Sequence, residues 1–345
     1  MSVITRPTGR TGRTRPGLPA LPRRRRGIPG AGTAGFARYL AKRLGYGVIV
    51  LWGAFTASFF LLYILPGDAA GGLTAGAEGD DIEAILEEQR ELLGLNRPVL
   101  VQYVDALTRA LRGDFGVSIY TRRPATELYF EAFGETLKLA FTGLAIALVL
   151  GILLSVVIEL IDWKWARELL LSLPPVAVSL PPFWVSIVLL QLFAFQFRLI
   201  PPTGNNSLPG LLVASLALAI PGAGGISQLL TANLRGALTS PYIETVHNWG
   251  LSRWGVVLRH ALRNSLLPVV TAFGTTVGLM VGGTVLTETV FSRVGVGRVI
   301  VEAVDGRDTP VVLICVTVSA GIFVLVNFVV DALYPLIDKR ISLEG

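Results

Sequence analysis

Runs of about twenty residues with almost no charge recur along this chain, and each is long enough to cross the hydrocarbon core of a bilayer as a helix. The clearest are YGVIVLWGAFTASFFLLYILP at 46–66 and LAFTGLAIALVLGILLSVVI at 139–158. Of the 345 residues 52% are hydrophobic and 16% charged, with a mean hydropathy of +0.61. A water-soluble domain carries about 25% charged residues, so this chain lacks the means to cover itself with a polar surface. The sequence therefore predicts an all-α integral membrane protein.

Four further spans complete the expectation. The third covers roughly 170–195 and contains Pro174, Pro175, Pro181 and Pro182; the fourth runs about 209–231 around Pro221. The fifth extends from near Asn264 to about Phe291, and the sixth over about 310–331. Six transmembrane helices, with helical structure in the long loop after the first, are the predicted fold. In that loop, apolar residues at helical spacing predict helices over 82–95 and 99–111, with RGDFGVS as the turn that follows.

Charge sorts the loops into two sets. The first 45 residues hold many arginines and no acid, and Pro and Gly interleave with them as far as Gly35. Residues 1–35 thus read as a disordered basic tail, and 36–66 as the first helix and span. The 232–263 connector carries Arg235, Arg253, Arg259 and Arg263 against a single acid, Glu244, whereas 67–135 is rich in acids such as Asp80, Asp81, Glu87 and Glu88. Basic loops stay in the cytoplasm. That puts both termini, the 232–263 connector and the 338–345 tail inside, and the 67–135 loop outside. Residues 136–337 form the remaining core of five spans.

The tools of an enzyme are missing from the pattern. There is no GxxxxGK[ST] phosphate loop and no HExxH pair, and the only histidines are His247 and His260. The single cysteine, Cys315, lies in an apolar run, so no disulfide or cysteine-based metal site is expected. GAGTAG at 30–35 matches GxGxxG but has no strand before it. Lys138, Glu159 and Glu288 stand near span ends, where reaching out to water is the simplest account of a charge. No intramembrane relay or internal repeat of a self-powered transporter is evident. The chain reads as a conduit without an engine: either a stand-alone channel or secondary transporter, or a part driven by another polypeptide.

The stretch YIETVHNWGLSRWGVVLRHALRNSLLPVV at 242–270 is more elaborate than a connector requires. Ser240-Pro241 suits a helix start, and Glu244 lies near the positive end of the helix dipole. Gly250 permits the left-handed turn that ends a helix. Ser252 is placed to cap a second helix that carries Arg259 and Arg263 on one face into the fifth span. A short surface helix is thereby hinged onto a span.

This segment resembles the EAA loop of ABC importer permeases. Glu244-Thr245-Val246 stands for EAA, Gly250 for its glycine, and Leu267-Pro268 for the later LP pair. GLSRWGVVLRHALRNSLLPVVT is similar to the oligopeptide/dipeptide/nickel branch, in particular its B-type permease, and so are LPGDAA, LGLNRPVLVQYVDALTRALRGDFGVS, SLPPFWVSIVLLQLFAF, ETVFSRVGVGRVIVEAVDGRDTPVV and NFVVDALYPLIDKRI. His247, Trp249 and the segment DWKWARE at 162–168 differ from the family's pattern. The resemblance implies a type I ABC importer permease subunit in a prokaryotic inner membrane. It also implies a second homologous permease, two cytoplasmic ATPases that bind the ATP and Mg, and an extracytoplasmic solute-binding protein. The chain itself would hold no cofactor or metal, and nucleic acid is no partner. The short helix would dock on an ATPase, with Glu244, Thr245, Val246, His247, Gly250, Leu251, Arg259 and Pro268 as the coupling residues. Peptide is the solute this family most often implies; no substrate-contacting residue is identifiable.

Overall fold

A computed structural model describes residues 33–64, 97–204, 206–248 and 250–337. The expected helix over 82–95, Trp249 and the C-terminal tail lie outside them. Among the described residues the only β pairing is an isolated bridge between Val117 and Pro124.

Four helices are long and apolar enough to cross a bilayer: α1 (Thr33–Ile64), α3 (Ala125–Leu160), α6 (Leu208–Leu238) and α11 (Thr309–Ile337). Between α1 and α3 lies the shorter amphipathic α2 (Val99–Ala110), as the 99–111 pattern predicts. The third expected span is not one helix. It is α4 (Lys164–Ser179) followed by α5 (Pro182–Leu190), which continues as a π-helical turn over Gln191–Gln196, and the two arms are bent by 102°. The cause is local. A residue before proline is pushed out of the helical region, and Leu180 and Pro181 both precede prolines. Their backbones are extended, with ψ of 123° and 134°. Pro174 and Pro175, by contrast, are carried inside α4. By length and composition the described residues thus contain four spans, or five when the bent pair is counted as one. The expected fifth span corresponds to α9 (Leu262–Val290), a helix of 29 residues.

The core forms where α3 crosses α6. Gly143, Ala147, Gly151 and Ser155 recur every fourth residue of α3, and all are buried. Small side chains in one row let helix backbones approach closely in a membrane, where apolar burial gives no drive of its own. A Cβ on Gly151 would come within 2.9 Å of the Ile226 Cβ on α6. The Ser155 hydroxyl lies 3.1 Å from that of Ser227 on α6. On the other side of α6, Gly224 admits α4 so closely that an added Cβ would lie 2.8 Å from the Pro174 carbonyl. Together α3, α4 and α6 make one packed block.

The end of the bundle carrying the 97–124 segment is closed by loops. Phe55, Phe59 and Phe60 of α1 surround Tyr103 of α2 with ring centroids 5.5–6.1 Å apart. The predicted RGDFGVS turn is present: Gly113 and Gly116 take positive φ, and Asp114 accepts a hydrogen bond from the Gly116 N–H at 2.9 Å. Its continuation docks on the junction between α10 (Val296–Asp305) and α11. There the Ser118 hydroxyl donates to the buried Asp308 carboxylate at 2.5 Å, and the Tyr120 hydroxyl donates to the Gly306 carbonyl at 2.6 Å.

Two charged residues expected to reach out to water do not. Glu288, 1% exposed, turns inward at the end of α9. It accepts from the Thr136 hydroxyl of α3 at 2.7 Å and from the Gly297 N–H in the first turn of α10 at 2.8 Å. Beside it Arg293, also 1% exposed, pairs with Glu135 at 3.4 Å. Burial lowers the Arg293 pKa from its ordinary value, and the Glu135 and Glu288 carboxylates oppose that shift. Glu159 is the second case, described below. Lys138 does stay exposed, paired with Glu135 at 2.7 Å.

Candidate functional site

The stretch after α6 folds as a helix, a glycine turn and a second helix that runs on into α9. The short helix α7 spans Pro241–Asn248. Gly250 follows with φ of +80°, the left-handed conformation that glycine adopts without a Cβ clash. Ser252 then accepts a hydrogen bond from the Gly255 N–H at 3.4 Å and caps the turn α8 (Arg253–Gly255). Val256–Ala261 is π-helical and leads directly into α9. A π segment marks an inserted residue in a helix, an arrangement frequent at functional sites.

Sequence spacing gave the helices but not what binds them. Ile243 and Val246, three apart on α7 and both buried, pack against Val256, with Leu238 of α6 and Leu251 beside them. The Tyr242 hydroxyl accepts from the Asn264 side-chain amide at 3.1 Å, a second tie between α7 and α9. The helix α7 starts at Pro241, as Ser240-Pro241 predicts. The Ser240 hydroxyl donates back to the Ala237 carbonyl, and the Ser240 carbonyl accepts from the Ile243 N–H at 3.0 Å.

Of the expected coupling residues, Glu244, Thr245, Val246 and His247 lie on α7, and Gly250 and Leu251 in the turn. Arg259 is exposed on the π-helical segment. Pro268 is carried inside α9, which begins at Leu262. The interruption in that helix lies earlier, at the π-helical turn.

A charge cluster adjoins this loop that local spacing does not reveal. Glu159, in the last turn of α3 and 3% exposed, receives Arg167 of α4 at 2.7 Å and Arg235 of α6 at 2.9 Å. Arg253, the first residue of α8, donates to the Glu159 backbone carbonyl at 2.7 Å and pairs with the Asp162 carboxylate. The expectation that Glu159 turns to water is overturned. It is a buried node at which three helices and the loop meet.

Long apolar helices packed through small residues, one of them broken at paired prolines, define a multi-pass helical membrane protein. The comparison with known families is more specific. Residues 151–343 match the family described as the inner membrane component of binding-protein-dependent transport systems. The chain belongs to this family of ABC importer permeases, in its peptide and nickel branch. It is 32% identical over 303 residues to the glutathione transport system permease protein GsiC of Shigella boydii serotype 4 (strain Sb227), covering 88% of this chain and 98% of that one. The Salmonella typhimurium (strain LT2) protein of the same name is 33% identical with the same coverage. Among solved structures, an inward-facing MetNI methionine ABC transporter matches with a TM-score of 0.52 at 17% identity, over 61% of this chain and 96% of that one. That likeness concerns the fold alone.

Proposed function

We propose that this chain is the permease through which an ATP-driven importer moves short peptides or peptide-like solutes, and that α7 is the element on which a cytoplasmic ATPase acts. The observation that carries the reading is the seating of α7. Ile243 and Val246 fasten it to the stem of α9, so a force on α7 is passed to a membrane helix and not lost in a loose loop. Pro241, at the start of α7, is exposed on the side away from that apolar seam, which leaves it for a partner. The arginines of the 232–263 connector favour its cytoplasmic placement, with both termini on the same side. Closure of two ATPases, each holding ATP and Mg, would then rock this chain and a second, related permease between inward- and outward-facing states. An extracytoplasmic binding protein would deliver the solute, and this chain would contribute no catalytic site. The named glutathione permeases support a peptide-like solute, glutathione being itself a tripeptide.

A cysteine at Thr245, with Cys315 replaced by alanine to suit its buried apolar site, tests the reading in native membranes. An ATPase subunit recovered covalently bound to position 245 is the expected result; adducts with lipid or with this chain alone would overturn it. A second expectation concerns Gly250. An added Cβ there meets nothing within 4 Å, so Gly250→Val disturbs only the left-handed backbone, by about 1–2 kcal/mol. Folded protein is expected at near wild-type yield, while ATP-dependent uptake falls because the angle between α7 and α8 changes.

A further inference from the structure

We propose that the end of α3 is the fixed joint of this loop: Arg253 ties α8 to Glu159 and Asp162, and Glu159 passes the tie to α4 and α6. These are positioning residues, which act through the helices they hold. The proposal rests on the reading of α7 as the ATPase-docking helix and adds a second route from α7 into the bundle.

The geometry supports a joint at this point. Arg253 uses both ends of its guanidinium fork, one on the Asp162 carboxylate and one on the Glu159 carbonyl. That carbonyl lies in the last turn of α3, where helix carbonyls lack partners and the dipole is negative, so a cation there is doubly favoured. A planar two-donor group fixes direction as well as distance, which a lysine would not. The Glu159 side chain meanwhile points into the bundle, held by Arg167 and Arg235. Arg235 belongs to the last turns of α6, and α6 ends at Leu238, a residue that packs against the cluster formed by Ile243, Val246 and Val256. The contacts therefore close a ring: α6 to α7, α7 to α8, α8 to α3, and α3 back to α6.

The ring matters because the loop has two compliant points, the turn at Gly250 and the π-helical Val256–Ala261. Were α8 attached to α9 alone, displacement of α7 could be absorbed by bending there. Arg253 sits between the two points and pins them to α3. A displacement of α7 then loads the α3–α4–α6 block together with α9, which is what moving spans as a unit requires.

The test uses the complete transporter, with its partner permease, ATPases and binding protein, in liposomes. Asp162→Cys and Arg253→Cys are introduced together in a Cys315→Ala chain. A short bifunctional thiosulfonate bridges the two cysteines, and a reductant removes the bridge. Without the bridge, solute imported per ATP hydrolysed is expected to fall roughly tenfold, within the range that coupling between sites commonly spans, while hydrolysis continues. Bridging should restore the ratio and reduction should abolish it again. The same assembled molecules are compared in both states, so misfolding cannot mimic a reversible change. An unbridged ratio at the Cys315→Ala level, or the same low ratio with and without the bridge, would overturn the joint. No ATP-dependent uptake by the Cys315→Ala parent would instead overturn the importer reading beneath it.

Discussion

Gly297→Ala is expected to leave little folded protein after mild heating in detergent, whereas Gly306→Ala loses only a modest share. In both, an added Cβ meets a heavy atom at 2.8 Å, yet the neighbours differ in kind. At Gly306 the nearest atom is Cε2 of Tyr120, an exposed ring whose displacement costs one hydroxyl hydrogen bond to the Gly306 carbonyl but moves no helix backbone. At Gly297 the new Cβ would overlap the Val285 Cα and stand 2.8 Å from Glu288 Oε2 and 3.1 Å from the Val285 Cβ. The backbone of α9 cannot yield, so the first turn of α10 must lift. Overpacking alone amounts to about 1–3 kcal/mol. Lifting α10 also removes the Gly297 N–H from Glu288, which is 1% exposed. Losing a hydrogen bond to a buried carboxylate adds about 1.5–3 kcal/mol. For a protein whose whole stability is about 5–15 kcal/mol, the sum is severe. The fraction surviving size-exclusion chromatography after a temperature series measures it, and equal losses for the two variants would contradict the account.

The same contrast explains what could be read from the sequence. An apolar run needs no partner to declare itself, so α1, α3, α6 and α11 were legible, as was the hinge, because Gly250 and Ser252 act within a few residues of themselves. The break between α4 and α5 was also written locally, in the consecutive pre-proline positions Leu180 and Pro181, but a hydropathy average runs over it. Glu159 and Glu288 were misread for a different reason. Lys138 finds Glu135 three residues away, a local pair. Glu159 takes partners 76 and 94 positions distant, and Glu288 takes Thr136 at a separation of 152. Each carboxylate lies near a helix end, where exposure is the ordinary outcome, and only the packing of α3 against α6 and α9 turns it inward. In the loop, Ile243 and Val246 lie three apart on α7. Their partner Val256 lies beyond the glycine turn, so the seam needed the fold.

At Glu159 the two sides of one charge cluster should respond very differently to mutation. Arg167→Ala combined with Arg235→Ala is expected to be far more damaging than Glu159→Gln, although the double variant removes the more exposed partners. The Arg167 and Arg235 side chains are 36% and 46% exposed, against 3% for Glu159. When the carboxylate becomes an amide, the guanidiniums can still accept its oxygen as a partner or extend to water along their aliphatic stems. The loss is then that of charge-assisted hydrogen bonds, about 1.5–3 kcal/mol. When both arginines are removed, the carboxylate, 3% exposed, loses both of its side-chain partners, with Arg253 engaged on its backbone carbonyl and on Asp162. An uncompensated buried charge is worth about 3–5 kcal/mol of destabilisation. Thermal unfolding in detergent should therefore place Glu159→Gln between wild type and the double variant. Adding Glu159→Gln to the double variant should recover stability, because it removes the stranded charge. A triple variant less stable than the double would mean that Glu159 has another cation partner, and the buried node would have to be redrawn around it.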